Sequence, residues 1–312
     1  MSALLISVLR DPAAARGLAP GDWDLLLRHE VERIGAALHG LDLPLILLKG
    51  AAYALADLDA GRGRLFSDID ILVPKERLHE VEAALMLHGW AGSHHDAYDQ
   101  RYYREWMHEL PPMTHLRRGN TIDVHHAILP ETAAARPDPA RLRAAALPVA
   151  GRPGLWMLAP HDMFLHSAVH LFYGGEFEHG LRDLFDLQRL ACQFGAGPGF
   201  WDGLAARAAE LQLARPLFYA LRYLGRVLGA TIPAVTLAAA EAGRPNPALL
   251  ALMDALFLRA LQPPLPACDD RFSRGARVAL YVRGNWLRMP PLLLSRHLFH
   301  KAFISRKQDL VV

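Results

Sequence analysis

The chain has 312 residues, about twice the length of a typical domain, so two domains are expected. Its 52% apolar and 21% charged residues, with 24 Gly and 22 Pro, exclude a wholly disordered, collagen-like or low-complexity protein. Two cysteines, Cys192 and Cys268, supply neither a disulfide framework nor a four-thiolate zinc site. No apolar run reaches the roughly 18 residues that span a bilayer. The first residues lack the basic head and cleavage site of a signal peptide, and the cytoplasm is the expected compartment.

The net charge of +2 is unevenly spread. Nine basic residues and no acidic one lie between Arg271 and Lys307, leaving 25 basic against 32 acidic residues elsewhere. A cationic segment beside an acidic body points to a polyanionic partner such as nucleic acid, nucleotide or anionic lipid. The competing reading is a helical hairpin whose arginines are solvated or paired with acidic neighbours.

Asp22 to His39 carries apolar residues at helical spacing, with Asp22 as N-cap and Gly40 as stop. Pro44 to Leu48 has the length of a buried strand, and Ala51 to Leu58 reads as a short helix. Ile69, Ile71 and Val73 alternate with Asp68 and Asp70, which predicts a second strand ended by Pro74. Glu76 to His88 is an amphipathic helix stopped by Gly89. Tyr102 to Met107 suits either a strand or a helix. After the turn signal Gly119-Asn120, Thr121 to Ile128 alternates again, with Asp123 and His125 on one face and Ile122 and Val124 on the other. Leu129 to Gly154 is rich in Ala, Pro and Arg and reads as a connection. Beyond Met157 the pattern is helical, with Pro160 and Pro247 suited to first turns. The helices expected are Pro160 to Tyr173, Leu181 to Phe194, Phe200 to Leu211, Arg215 to Leu228, Pro247 to Leu261, Arg271 to Arg288 and Pro291 to Phe303. An N-terminal α/β unit is thus followed by an all-α unit, divided at 1–157 and 158–312.

The sharpest chemical feature is Ser67-Asp-Ile-Asp-Ile-Leu-Val73. Residues i and i+2 of a strand share a face, so Asp68 and Asp70 project together about 6–7 Å apart at Cα. Like charges this close are costly unless a cation or proton joins them, and hard divalent ions such as Mg²⁺ take such oxygen ligands. Asp123, from another strand, would complete a site if the strands are neighbours. Upstream, Lys49-Gly50-Ala51 lies where a strand enters a helix, a junction that offers backbone N–H groups to phosphate, with Lys49 or Arg64 adding charge. The bland alternatives are solvated strand-edge carboxylates and a glycine needed only for a turn.

Six segments together carry a resemblance: LLKGAAYAL (Leu47 to Leu55), R-x-x-SDIDILV (Arg64 to Val73), HELPPM (His108 to Met113), IDVHHAI (Ile122 to Ile128), LAPHDMFLHSAVH (Leu158 to His170) and GLRDLFDLQRL (Gly180 to Leu190). With them the chain resembles the DNA polymerase β-like nucleotidyltransferase superfamily, and more closely its largely uncharacterised bacterial nucleotidyltransferase-like family. The resemblance implies an α+β fold, in which a mixed β-sheet flanked by helices is followed by a helical domain. It implies Asp68 and Asp70 as ligands of Mg²⁺ or Mn²⁺, with Asp123 binding metal or helping to deprotonate the acceptor. Lys49, Gly50, Ala51, Arg64 and Ser67 would contact an NTP such as ATP. In two respects the chain departs from the superfamily. Ala51 follows Gly50 where Gly or Ser is usual, and Ala52 to Ser67 make an unusually long gap before Asp68.

Sixteen histidines invite metal readings. His161-Asp162, with His166, His170, Asp183 and Asp186, would make a second divalent site of the HD type. The preferred reading is a cleft where His125, His166, His170, Arg182 and Asp183 bond to one another or face substrate. Trp156, Phe164, Phe172, Phe185, Trp201 and Phe218 read as core. The function expected is Mg²⁺-dependent transfer of a nucleotidyl group from an NTP to an acceptor hydroxyl or phosphate on a small molecule, protein or RNA, releasing pyrophosphate. The alternative is an inactive module of the same fold that binds nucleotide, peptide or toxin. A third reading, from the basic C-terminal segment, is a peripheral membrane or nucleic-acid protein.

Overall fold

A short apolar strand anchors the architecture. β1 (Leu45–Leu47) is buried at every residue, as befits a strand covered on both faces. The computed structural model in which it is seen describes residues 20–62, 68–92, 97–263, 265–290 and 294–295. Ahead of β1, α1 (Pro20–Leu38) buries Leu27, Val31, Ile34 and Leu38, one stripe at helical spacing. After it come α2 (Lys49–Leu55), β2 (Asp68–Leu72), α3 (Leu78–Leu87) and β3 (Trp90–Gly92). A short helix, α4 (Ala97–Arg101), widens into a π-helical turn over Tyr102–Trp106, so this aromatic segment is helical and not a strand. β4 (Met113–His115) and β5 (Thr121–His125) follow.

The Pro-rich stretch read as a connection returns to the sheet. It contains α5 (Pro139–Ala145) and β6 (Leu147–Pro148), and it leads into β7 (Leu155–Met157). All seven strands form one mixed sheet in the order β3-β4-β5-β2-β1-β7-β6. β1 runs antiparallel to β2 and parallel to β7, while β2 and β5 are parallel neighbours.

The rest is helical: α6 (Pro160–Gly174), α7 (Gly180–Gly195), α8 (Phe200–Glu210), α9 (Ala214–Leu228), α10 (Ala234–Ala240), α11 (Pro247–Ala260) and α12 (Ser273–Arg288). The sequence foretells each except α10; the helix expected over 291–303 falls almost entirely outside the described residues. α6 is the axis of this half, buried from Asp162 to Val169 and touched by α7, α8, α9 and α12. Where α12 crosses it the backbones meet. A Cβ on Gly284 would lie 2.8 Å from the Gly174 carbonyl oxygen, so only glycine fits without displacement. One continuous apolar cluster runs from Leu27 to Leu280, through sheet and helices alike. Among the described residues, no helix is long and apolar enough to cross a membrane.

Several sequence expectations change in three dimensions. His161-Asp162 makes no metal site. Asp162 is fully buried and gripped by the Arg207 guanidinium at 2.6 and 2.8 Å, while His161 stacks on Phe200. Phe185 is 42% exposed beneath Arg189, not in the core. Of the basic C-terminal residues, Arg283 sits among the rings of Tyr173, Tyr219 and Phe257 and donates to the Phe172 carbonyl oxygen. Arg277 pairs with Asp269, and Arg288 donates to the Gly174 carbonyl oxygen. These three arginines serve the fold. Arg296, Lys301, Arg306 and Lys307 lie outside the described residues.

The Asp162–Arg207 pair yields a stability prediction. Arg207→Ala leaves a buried carboxylate without its partner, and such losses cost about 3–5 kcal/mol. Denaturant unfolding should show a loss of that order, while the same substitution at exposed Arg274 should leave stability nearly unchanged.

Candidate metal and nucleotide site

The site grows out of strand register. Parallel pairing of β2 and β5 sets Asp68 opposite Thr121, Asp70 opposite Asp123 and Leu72 opposite His125. Alternation then gathers Asp68, Asp70, Asp123 and His125 on one face, and buries Ile69, Ile71, Ile122 and Val124 on the other. One carboxylate oxygen from each of the three aspartates lies within 4.8 Å of the others.

Asp70 is the hub. It is 4% exposed, and its Oδ1 accepts hydrogen bonds from Lys49 Nζ and His125 Nε2, both at 2.8 Å. Burial alone would favour the neutral acid, but the Lys49 ammonium and the His125 bond outweigh it and hold the carboxyl well below the usual range. Burial likewise works against the Lys49 charge, and the Asp70 carboxylate more than offsets it. His125 follows the same pattern: desolvation opposes its charge, yet the bond to Asp70 and the nearby Glu109 raise its affinity for a proton.

Lys49 reaches Asp70 from an unusual backbone position. Its φ of +46° lies in the left-handed region, which costs a non-glycine residue of order 1–3 kcal/mol and is typically found where a side chain must be aimed. The strain of the β1–α2 turn therefore falls on Lys49, not on Gly50 as the sequence suggests. Gly50 and Ala51 are buried, and α2 has only seven residues. The residue of this turn that faces the site is Lys49, with its ammonium committed to Asp70. Arg64 and Ser67 lie outside the described residues.

Asp123 is the complement of Asp70. Its Oδ1 is buried without a hydrogen-bond partner. Burial first, then the charges of Asp70 and Glu109, push its carboxyl up to about 7. An orphaned carboxylate oxygen beside two further carboxylates is a donor set made only of oxygen, and it suits a hard divalent ion such as Mg²⁺ or Mn²⁺.

A cavity of about 260 Å³ opens beside this cluster, between the sheet and α6, α7 and α12. Lys49, His125, His170, Arg182 and Asp183 line it; His166 does not, although it is buried close by. Arg182 donates to Asp183 Oδ1 through Nε and Nη2 at 3.0 and 2.9 Å. Desolvation, reinforced by the charges of Lys49 and His125, holds His166 well below the usual histidine range, so it is neutral. Among the further lining residues are His108, Glu109 and Arg288, of which sequence reasoning singled out only Arg288, as part of the basic C-terminal run. The first two stand in the HELPPM segment, which entered the resemblance without a chemical reading.

Asp123 gives the site a pH signature. Its folded value of about 7 exceeds its ordinary 3.8, so its contribution to stability is fully present below 3.8. That contribution is lost as pH rises through about 7. At pH 8 without divalent ions, Asp123→Asn should melt several degrees above the parent in calorimetry. Mg²⁺ or Mn²⁺ should raise the parent's melting temperature and not that of the variant.

The search of curated proteins finds no match. A family model described as uncharacterised nucleotidyltransferase matches residues 21–229, which takes in the whole sheet, all three aspartates and the helices through α9. The chain belongs to this nucleotidyltransferase family.

Proposed function

We propose that the protein is a metal-dependent nucleotidyltransferase that moves a nucleotidyl group from an NTP, such as ATP, to an acceptor hydroxyl or phosphate. The convergence of Asp68, Asp70 and Asp123 within 4.8 Å, in a chain of this family, carries the reading. These three residues would hold the Mg²⁺ or Mn²⁺. When bound, such an ion supplies charge neutralisation at phosphorus and lowers the proton affinity of the attacking oxygen.

The chain's own groups do the positioning. Lys49 and His125 fix Asp70 as an oriented carboxylate, so the site needs no rearrangement to present it. Asp123, whose carboxyl is pushed up to about 7, takes the proton of the acceptor hydroxyl on the carboxylate oxygen that does not hold the ion. The acceptor oxygen then bonds to the α-phosphorus as the bond to the bridging oxygen breaks, and pyrophosphate leaves. In this reading the acceptor occupies the 260 Å³ cavity, walled by the unit 1–157 on one side and by 158–312 on the other.

One observation favours the second reading, an inactive module that binds nucleotide, peptide or toxin: Lys49 already neutralises Asp70. Two measurements separate the readings. Asp68→Asn and Asp70→Asn should each cut pyrophosphate release from NTP by about a thousandfold or more, as expected when an interaction worth several kcal/mol in the transition state is lost. Calorimetry should show NTP binding that strengthens with Mg²⁺. Binding without any pyrophosphate release, across a panel of acceptors, selects the module.

A further inference from the structure

Beside the aspartate cluster lies a second group of metal-ligating side chains with different chemistry. One ring nitrogen each of His108 and His125 and one carboxylate oxygen of Glu109 lie within 4.8 Å of one another. Both imidazoles carry a buried Nδ1 with no hydrogen-bond partner. His125 is 2% exposed, and its Nδ1 stands 3.2 Å from Glu109 Oε2 but out of line for a hydrogen bond. Two donor atoms at this spacing, neither aimed at the other, resemble adjacent ligands aimed at a third point. Tetrahedral ligands at about 2.0–2.1 Å from an ion stand roughly 3.3 Å apart.

We propose that His108, Glu109 and His125 bind a divalent transition ion of the zinc class, at a site distinct from the three aspartates. The donor set is two nitrogens and one oxygen, which suits Zn²⁺ or Co²⁺ and does not suit Mg²⁺. The support of His125 matches this role. An ionised carboxylate can only accept, so His125 Nε2–H donates to Asp70 Oδ1 and the other ring nitrogen is left facing Glu109. A carboxylate behind a histidine is the usual outer support of a metal-bound imidazole. All three residues line the 260 Å³ cavity, so an ion has a path in and keeps positions open to a ligand there. Asp70 thus supports one site from behind while belonging to the other.

The test uses the full chain, chelator-stripped and carrying Cys192→Ser and Cys268→Ser, because both cysteines are exposed and would bind zinc themselves. Titration with Zn²⁺ in excess Mg²⁺ should show one equivalent bound, and Co²⁺ should give visible bands of nitrogen–oxygen ligation. His108→Ala and Glu109→Gln should each weaken Zn²⁺ binding by about tenfold or more. Asp123→Asn should leave this equivalent in place. Circular dichroism reports whether each variant folds. Zinc-edge absorption of the unmutated metal ligands should find two imidazole nitrogens, whatever the variants do. Absence of a retained ion, an oxygen-only shell, or undiminished affinity in both folded variants overturns the site. No readout involves nucleotide, so the result is independent of nucleotidyl transfer.

Discussion

A buried carboxylate cannot stay ionised without partners, and Asp70 organises its surroundings around that requirement. At 4% exposure it is bonded to an ammonium from the β1–α2 turn and to an imidazole from β5. Three separate stretches of chain are thereby held to one atom. The left-handed backbone of Lys49 is part of the cost of that arrangement. The electrostatic consequence appears one strand away: with Asp70 fixed as an anion, Asp123 on the paired strand is driven towards its neutral form. A cluster in which one acid is forced charged and its neighbour is resisted is poised for a cation.

The helical half converts that cluster into a pocket. α6 is buried along most of its length, and α12 is brought against it by a glycine contact at Gly284. This crossing carries Arg288 to the cavity wall, while Thr132 donates to the Arg288 carbonyl oxygen at 2.6 Å and ties the helix end to the chain leaving the sheet. Of the nine basic residues in the C-terminal run, three described arginines are engaged by the fold: Arg283 in an aromatic cage, Arg277 in an ion pair and Arg288 at the pocket. Net charge along a chain says little about a surface, because burial and pairing are decided by the fold.

How much was legible follows from how local each signal is. β2 and β5 alternate over five residues, and α6 and α7 hold their apolar stripes for three turns or more, so period alone identifies them. β3, β4, β6 and β7 have two or three residues each, too few to show any period, and they exist through pairing with neighbours. α10 lay hidden in Ala-rich sequence with only Thr236 and Ala240 buried. The HD dipeptide was ambiguous for a related reason: Asp162 meets Arg207 from α8, a partner 45 residues away.

That Asp68 and Asp70 share a face, as do Asp123 and His125, is local information, because alternation is a property of the extended backbone within one strand. Hydrophobic period likewise indicated a mixed α/β half followed by a helical half. The placing of β5 beside β2, with Asp123 in register with Asp70, comes from the assembled fold. The approach of Lys49, His108 and Glu109 was decided there too. Strand partnership and register arise from competing burial and hydrogen bonding across the whole chain, and no local pattern encodes their outcome.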